Sequence, residues 1–584
     1  MLGSDVLVGM LVDYGVSSIF GVPGDTNVVF YEALQRRSSE IRHVMARDER
    51  SAGFMADAYA RLGNRPGVFE CPSGAGSTYS LPAVAEANAS AVPIILLTID
   101  IPLASEGRGV ITELDCARLY EPVTKMSELV KSAEKIPEVI RRAFRTATSG
   151  TPGAVHLQIP SDILRMEVDE TQLSLHVEHE CITYPSYRTR PVKEKIDRLV
   201  ELLSAADRPL IVTGGGVRRS GAEASVTTLA ERLGIPVVTT ITGQGAVPAD
   251  HRLAIGVIGD NGFHPHANLA IEEADLVVFL GSKIGSVVTV GFTFPTVSQE
   301  KRIVHVDINP VALGNNFENI LSIAGDVRAV VDDLLSQIRE EDICATSRDE
   351  WVRHLSELRS TFWLNASVLL ERDEVPLRPE RIAQELNKSL IEYGEPVHVF
   401  SDAGTPTPYM TRFLKTNSRV SLTIPRAFGG LGYAIPAVVG AWAADPSRRP
   451  IGLFGDGSLG MSAGELESLV RLKVPAVLIL FSNGTFGWIK GLHRLSGHRE
   501  PMSVDFAKPD GRALGEAFGI RSWSVETPDE FATALKEAFA TNGPSLIAVD
   551  VESIADRVPP VYSWLRELDR DPLSLDSDDV LYFP

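Results

Sequence analysis

Residues 450–485 read PIGLFGDGSLGMSAGELESLVRLKVPAVLILFSNGT and carry the clearest pattern in the chain. A short apolar run ends in a Gly-Asp-Gly-Ser turn, an amphipathic helical pattern follows, and a second apolar run ends in Ser-Asn-Gly-Thr. This order is typical of a β-α-β unit, which returns its second strand beside the first. Asp456 and Asn483 are therefore expected at one edge of a sheet. Their oxygen atoms, beside a glycine-lined helix N-terminus, suit a divalent cation that holds a diphosphate.

Length and composition narrow the function classes. A chain of 584 residues exceeds what one hydrophobic core covers, so several domains are expected. The net charge of −20 argues against a nucleic-acid surface, which needs clustered basic residues. No apolar run reaches membrane-spanning length, and we expect no membrane association. The four cysteines stand far apart in the sequence, which favours reduced thiols and a cytoplasmic location.

Short apolar runs alternate with helical patterns along most of the chain. This alternation predicts an α/β fold with three doubly wound parallel-sheet domains. We place the first domain at residues 1–170, the central domain at 191–340 and the third at 375–553. Residues 554–584 form a tail that contains Pro559 and Pro560 and is a candidate lid.

The pair formed by Gly455-Asp456-Gly457 and Asn483 resembles the signature of thiamine-diphosphate-dependent enzymes. The resemblance covers nearly the whole chain and is closest to the acetolactate-synthase and 2-oxo-acid decarboxylase group. It implies that Mg²⁺ is bound by Asp456, Asn483 and the backbone carbonyl of Thr485. Ser482 replaces the first asparagine of the family's Asn-Asn pair, a conservative polar change. The resemblance also implies that the first domain binds the pyrimidine ring of the cofactor and the third domain its diphosphate.

The other cofactor contacts implied by the resemblance lie in both end domains. The segment 47–53, Arg-Asp-Glu-Arg-Ser-Ala-Gly, resembles the one that carries the family's activating glutamate, here Glu49. A carboxyl in an apolar pocket has a raised pKa and can share a proton with the aminopyrimidine ring. Leu431 would bend the cofactor, and the Gly429 carbonyl would accept from its amino group. The remaining contacts are Ala403, Gly404, Thr405, Gly455, Gly457 and Ser458.

In this family the glutamate and the metal ligands of one site come from different subunits. The resemblance therefore implies a homodimer or homotetramer with its sites at the subunit interface.

The substrate pocket departs from the decarboxylases that release an aldehyde. Ile111 and Thr112 stand where those enzymes have a pair of histidines, and Ile489 stands where they have a glutamate. Trp488 is a further candidate pocket residue. Without a titratable group there, protonation of the carbanion is disfavoured. The carbanion is expected instead to attack a second carbonyl, or to arise by cleavage of a C–C bond. The resemblance thus implies a carboligase or lyase that decarboxylates a 2-oxo acid and transfers the acyl-anion equivalent.

Several alternatives stay open. Acetolactate synthases bind the acceptor carboxylate with an arginine where this chain has Val287, and the surrounding segment departs from their FAD pattern. A 2-hydroxyacyl- or oxalyl-coenzyme A lyase is the second reading, and a non-catalytic nucleotide-binding homologue the third. The glycines at 214–216 could approach FAD, or an ADP or coenzyme A moiety. His264 and His266 are expected in a surface loop. The basic cluster after Trp488 could bind an anion or form a solvated helix face: Lys490, His493, Arg494 and His498.

Overall fold

The computed structural model describes residues 1–296, 301–339, 345–497 and 500–575. It contains three six-stranded sheets in which all the strand pairs are parallel. The predicted fold class, three doubly wound parallel sheets with helices, is confirmed. No helix in the described part of the chain is both long and apolar enough to cross a membrane.

The first sheet has the strand order β2-β1-β3-β4-β6-β5. Its strands are β1 (Ser18–Gly21), β2 (Arg42–Met45), β3 (Gly67–Pro72), β4 (Ile94–Asp100), β5 (Met126–Leu129) and β6 (Ala154–Pro160). The helices around it are α1 (Gly3–Asp13), α2 (Val28–Arg36), α3 (Glu49–Gly63), α4 (Ala75–Ala89), α5 (Cys116–Tyr120), α6 (Ile136–Thr148) and α7 (Ser161–Arg165).

The second sheet has the order β12-β11-β10-β7-β8-β9. Its strands are β7 (Pro209–Thr213), β8 (Val237–Thr239), β9 (Ala254–Val257), β10 (Leu276–Leu280), β11 (Arg302–Asp307) and β12 (Leu321–Ala324). Its helices are α8 (Lys193–Ser204), α9 (Gly215–Arg219), α10 (Glu223–Leu233), α11 (Pro265–Glu273) and α12 (Val327–Gln337). A long helix, α13 (Ala345–Leu370), leads into the third sheet.

The third sheet has the order β14-β13-β15-β16-β18-β17. Its strands are β13 (Val397–Ser401), β14 (Val420–Thr423), β15 (Arg449–Gly455), β16 (Val477–Ser482), β17 (Arg521–Val525) and β18 (Ser545–Asp550). The remaining helices are α14 (Pro379–Tyr393), α15 (Pro406–Phe413), α16 (Ala434–Ala444), α17 (Asp456–Ser462), α18 (Glu465–Leu472), α19 (Gly487–Leu495), α20 (Gly511–Ala517), α21 (Pro528–Ala540) and α22 (Tyr562–Glu567).

The first and third sheets share one hydrophobic core through helices α3 and α16. A Cβ atom at Gly440 would lie 2.0 Å from the Met55 carbonyl oxygen, so only glycine allows this close approach. The Tyr433 hydroxyl donates to Asp57 at 2.5 Å, and Arg61 pairs with the same buried carboxylate at 2.7 Å. Because the buried Asp57 carboxylate is bonded by both groups, this polar contact fixes the two sheets relative to each other.

His264 and His266 were expected in a surface loop, and this prediction is wrong. His264 is 7% exposed and His266 is fully buried at the start of α11. The His264 ring bonds the Val257 amide and the Arg412 carbonyl, and His266 packs against Phe362. Burial lowers the pKa of both rings. Their apolar surroundings come from α13 and α15, which are remote in sequence.

Candidate active site

The carboxyl ends of β15 and β16 bring Asp456 and the Asn483 backbone together, as the 450–485 pattern predicts. The two strands are paired in register, with Gly455 opposite Phe481. Asp456 is 4% exposed, and its carboxylate accepts from the Asn483 and Gly484 amides at 2.6 and 2.7 Å. Ser482 Oγ donates to it at 3.0 Å, so the change from asparagine to serine keeps a polar contact there. These donors fix the carboxylate at the sheet edge.

Oxygen atoms of Asn483 and Thr485 lie next to this carboxylate along the chain and are free to accept. Within the described residues, no hydrogen bond involves the Asn483 side chain, and no backbone amide donates to the Thr485 carbonyl. A β-bridge to Asp505 and a hydroxyl bond to Val504 hold Thr485 in place. Among all the residues that the structure describes, no cluster of three or more His, Cys, Asp or Glu is suited to hold a metal. A carboxylate, an amide and a carbonyl together form the kind of oxygen set that Mg²⁺ prefers.

The turns around this edge leave room for a diphosphate. Helix α17 begins directly at Asp456, and Ser458 lies in its first turn. Gly404 and Gly429 have φ angles of +115° and +84°, and a Cβ atom at either would meet nothing within 4 Å. Open space above a glycine backbone is what a bound phosphate or ring requires. The residues present therefore fit thiamine diphosphate with a metal ion.

Asp402, at the end of β13, orders the glycine-rich loop that contains Gly429 and Leu431. Its fully buried carboxylate accepts from the amides of Ala403, Tyr433 and Ala434 at 2.9, 2.8 and 3.3 Å. Burial raises its pKa to about 6, although these donors favour the charged form. The sequence patterns did not single out Asp402, because it looks like an ordinary residue after a strand.

We expect Asp402→Asn to destabilise the protein by about 1–3 kcal/mol, because an amide must turn its NH₂ group toward one of these backbone amides. The raised pKa also means that the folded state binds a proton more tightly than the unfolded state, whose value is about 3.9. The wild-type free energy of unfolding should therefore fall as the pH rises from about 4 to about 6. Urea unfolding at several pH values measures both effects. A variant as stable as the wild type, with the same pH dependence, would contradict this role.

Glu49 begins helix α3 at the corresponding edge of the first sheet. Asp48 caps the helix by accepting from the Arg50 and Ser51 amides at 2.9 and 3.2 Å. Glu49 is half-buried, and burial, followed by the nearby charges of Asp48 and Glu70, raises its pKa. This position gives a carboxyl that holds its proton more tightly than a surface glutamate does.

A buried carboxylate that sequence reasoning missed lies behind this edge. Glu70 is fully buried and accepts from Asn27 Nδ2 and the Tyr31 hydroxyl, each at 2.6 Å. Asn27 in turn accepts from the Gly24 amide at 2.7 Å. The network thereby fixes the turn after β1, which faces the same edge as Glu49.

Glu86 of α4 is another acid that the sequence did not reveal. It is 1% exposed and accepts from the amides of Ala427, Phe428 and Gly429 at 3.2, 2.8 and 3.2 Å. The first sheet's helix layer thus holds the glycine-rich loop of the third sheet in place.

The predicted substrate-pocket residues lie on two separate segments. Ile111 is 86% exposed, and the Thr112 hydroxyl contacts Ser73 Oγ at 2.8 Å. The Glu113 carboxylate holds the loop by accepting from the Gly107, Gly109 and Val110 amides. On the other segment Ile489 is 46% exposed. The Trp488 ring packs on Trp564 of the tail, with the ring centroids 4.7 Å apart.

The basic cluster after Trp488 is largely paired. Lys490 pairs with Asp505 at 2.8 Å, and Arg494 pairs with Asp556 at 3.1 Å. His493 also has an interaction partner, and His498 lies outside the described residues. The paired lysine and arginine favour the helix-face reading over an anion site here.

Large apolar side chains are exposed around both halves of the site. On the third sheet's side they are Phe428, Met461, Phe486 and Ile489. On the first sheet's side they are Val28, Tyr79 and Ile111.

A cavity of about 370 Å³ lies at the carboxyl ends of the strands of the second sheet. It is lined by Gly216, Arg219, Lys283 and Asp307, among others. Gly216 follows β7, and the neighbouring strands β7 and β10 are where the order of the sheet reverses. Such switch points are common nucleotide sites in doubly wound sheets.

Comparison with known proteins identifies the class. The chain matches the thiamine pyrophosphate enzyme N-terminal TPP binding domain at residues 1–119, the central domain at 196–334 and the C-terminal TPP binding domain at 402–549. It is 32% identical to a probable acetolactate synthase large subunit of Methanocaldococcus jannaschii, over 96% of this chain and 94% of that protein. It is 30% identical to an acetolactate synthase of Mycobacterium bovis, over 93% of this chain and 86% of that protein. An acetolactate synthase large subunit of Lactococcus lactis is 27% identical, over 99% of this chain and 96% of that protein.

The chain therefore belongs to the thiamine pyrophosphate enzyme family. Within that family it is an acetolactate-synthase-like enzyme of the transferase type that binds thiamine diphosphate.

Proposed function

We propose that the protein is a Mg²⁺-dependent carboligase that decarboxylates a 2-oxo acid and transfers the acyl-anion equivalent to an acceptor carbonyl. The observation that carries this proposal is the fixed, oxygen-rich edge formed by Asp456, Asn483 and Thr485. Asp456, Asn483 and the Thr485 carbonyl would hold the metal, and the metal would hold the diphosphate. The diphosphate contacts would come from Ala403, Gly404, Thr405, Gly455, Gly457 and Ser458.

Glu49 would activate the cofactor. When bound, thiamine diphosphate supplies a carbon acid that becomes a nucleophile and then stabilises the charge left by decarboxylation. Glu49 would hold a proton at the pyrimidine nitrogen, a role that its half-buried position and raised pKa suit. Leu431 would support the bent form of the cofactor, and the Gly429 carbonyl would accept from its amino group. Asp402 and Glu86 hold the loop that carries both residues.

We infer a homodimer, or a homotetramer built from such dimers, with each site shared by two subunits. No hydrogen bond within the described part of one chain joins Glu49 to Asp456, Asn483 or Leu431. The exposed apolar residues around both halves supply a surface for a second copy. The pyrimidine-binding unit would span residues 1–170, the central unit 191–340 and the diphosphate-binding unit 375–553. The tail from residue 554 would close over the site; of its predicted extent, 554–584, residues 576–584 lie outside the described residues.

Pocket chemistry favours carboligation over aldehyde release. The side chains at Ile111, Thr112 and Ile489 carry no group that titrates near neutral pH, so the pocket offers the carbanion no proton. Trp488 packs on the tail, which would exclude water from the same region. The substrate is thus a small 2-oxo acid or acyl compound. A cytoplasmic setting agrees with the free thiols of Cys71, Cys116 and Cys181.

The central cavity is a candidate site for FAD, or for an ADP or coenzyme A moiety. Arg219 and Lys283 line it. Arg219 donates one hydrogen bond to the Ser90 carbonyl, and Lys283 donates one to the Ala89 carbonyl. Two cations at a switch point suit a diphosphate.

A screen of 2-oxo acids with thiamine diphosphate and Mg²⁺ tests the proposed function. We expect CO₂ release together with an acyloin or 2-hydroxy-2-oxoalkyl acid product, identified by mass spectrometry. Turnover only with coenzyme A thioesters would favour the lyase reading and overturn ours. Cofactor binding with no turnover of either substrate class would favour a non-catalytic homologue.

A further inference from the structure

A second cavity, of about 380 Å³, lies where the central sheet, α13, α15 and the C-terminal tail meet. Its walls include the rings of Phe263, Phe362 and Phe413. Residues 569–571 of the tail form part of its exposed rim. None of the residues assigned above to cofactor, metal or substrate lines it.

Arg412 places a cation in this wall. Its Nε donates to the Phe263 carbonyl at 2.8 Å, but its buried Nη2 has no hydrogen-bond partner within the part of the chain that the structure describes. Among the described residues, no carboxylate lies within ion-pair distance of it. Its guanidinium lies 4.8 Å from the Phe263 ring and 5.8 Å from the Phe362 ring, contacts that orient it but do not neutralise it. A buried charge without a counterion is costly, which suggests that an anion completes this site.

The other charged groups around the cavity are compensated or exposed. Arg557 pairs with Glu380 at 2.6 Å and with Glu552 at 3.1 Å. Asp569, Arg570 and Asp571 lie exposed at the rim, and Arg570 has an interaction partner. The inner part of the cavity therefore offers one cation to a ligand.

Tyr409 supplies a second polar group, one turn before Arg412 on α15. It is 4% exposed and lines the same cavity, and its hydroxyl makes no hydrogen bond within the described part of the chain. A guanidinium and a hydroxyl surrounded by aromatic rings suit an oxyanion that is attached to an apolar group.

We propose that this cavity binds an organic oxyanion, a carboxylate or a phosphate on an apolar body, through Arg412 and Tyr409. Helix α15 starts directly after Thr405, and the tail carries Trp564 onto Trp488. A bound anion would thus tie α15 to the tail. The proposal does not depend on the reaction that the enzyme catalyses.

Calorimetric titration of the full-length, cofactor-loaded protein tests it with three probes that share a phenyl group: phenylacetate, phenyl phosphate and neutral phenylacetamide. We expect at least one anion to bind about tenfold more tightly than the amide. Whichever anion binds more tightly identifies the headgroup. Binding should also slow hydrogen exchange of residues 557–575, and the cavity variants below separate this cavity from the active site.

Three variants sharpen the test. Arg412→Gln should weaken anion binding by about tenfold or more, and Tyr409→Phe, which keeps the ring, by a smaller factor. The control Arg419→Gln changes an exposed arginine outside this cavity, just before β14, and should bind as the wild type does. If Arg412→Gln does not fold, Tyr409→Phe alone decides.

Equal binding of the amide and the anions, or unchanged binding by the two cavity variants, would overturn the proposal. So would the absence of anion binding to the wild type up to about 10 mM.

Discussion

Glu49→Gln is expected to lower the turnover of a 2-oxo acid by at least about 100-fold, because proton sharing by a positioned acid typically contributes that much or more. Glutamine fills the same half-buried position at the start of α3 but cannot share a proton. The Asp48 cap stays in place, so the helix should still form. Steady-state CO₂ release measures the effect, and equilibrium dialysis should show nearly unchanged cofactor binding.

Glu32→Gln provides the matched control, since it makes the same chemical change on the exposed side of α2. It should keep wild-type turnover. If Glu49→Gln also kept it, the activating role of Glu49 would be wrong. If the variant lost cofactor binding instead, Glu49 would contribute to affinity and not to activation.

Asp456→Asn should weaken Mg²⁺-dependent cofactor binding by about 100-fold or more, because even the residues that support metal ligands contribute about 10- to 100-fold. The substitution removes a negative charge from the proposed metal set. It also places an NH₂ group against the Asn483 and Gly484 amides, which now donate to the carboxylate at 2.6 and 2.7 Å. Tryptophan fluorescence during titration with cofactor at saturating Mg²⁺ measures the change. Unchanged affinity would remove Asp456 from the metal site.

Mixing Glu49→Gln with Asp456→Asn, at a cofactor concentration that saturates the wild type but not Asp456→Asn, tests whether two subunits share one site. In a mixed dimer, one site combines Glu49 from the Asp456→Asn subunit with Asp456 from the Glu49→Gln subunit. Random reassortment should therefore restore about a quarter of the wild-type activity. Each variant alone, carried through the same dissociation and reassembly, is the control. A mixture no more active than its components would place Glu49 and Asp456 of each site on one chain.

The parts of the site that the sequence predicts are those built by one contiguous stretch. The 450–485 segment carries both strands, the turn and the helix, so its pattern alone places Asp456 beside Asn483. The alternation of apolar runs and helical patterns likewise predicts the parallel sheets, because buried central strands are almost continuously apolar. Strands at sheet edges are harder to predict. β5 is half-exposed throughout, and β17 alternates only weakly, so neither gives a clear apolar run.

The acids that hold the site together escape sequence reasoning for a different reason. Glu86 contacts amides more than 340 positions further along the chain. Asp402 and Glu70 likewise bond partners on other elements. Nothing local distinguishes these residues from surface carboxylates, and only the packing of helices against sheets makes them buried and paired. Arg412 becomes notable in the same way, because its cavity is formed by five segments that are remote in sequence.

Deuterium exchange at the reactive thiazolium carbon of bound cofactor tests the central claim most directly, because it measures activation without any substrate. The wild-type protein with Mg²⁺ should exchange this proton far faster than free cofactor does. Glu49→Gln should exchange it at a rate close to that of free cofactor, although the cofactor is bound. Equally fast exchange in the variant and the wild type would contradict the account.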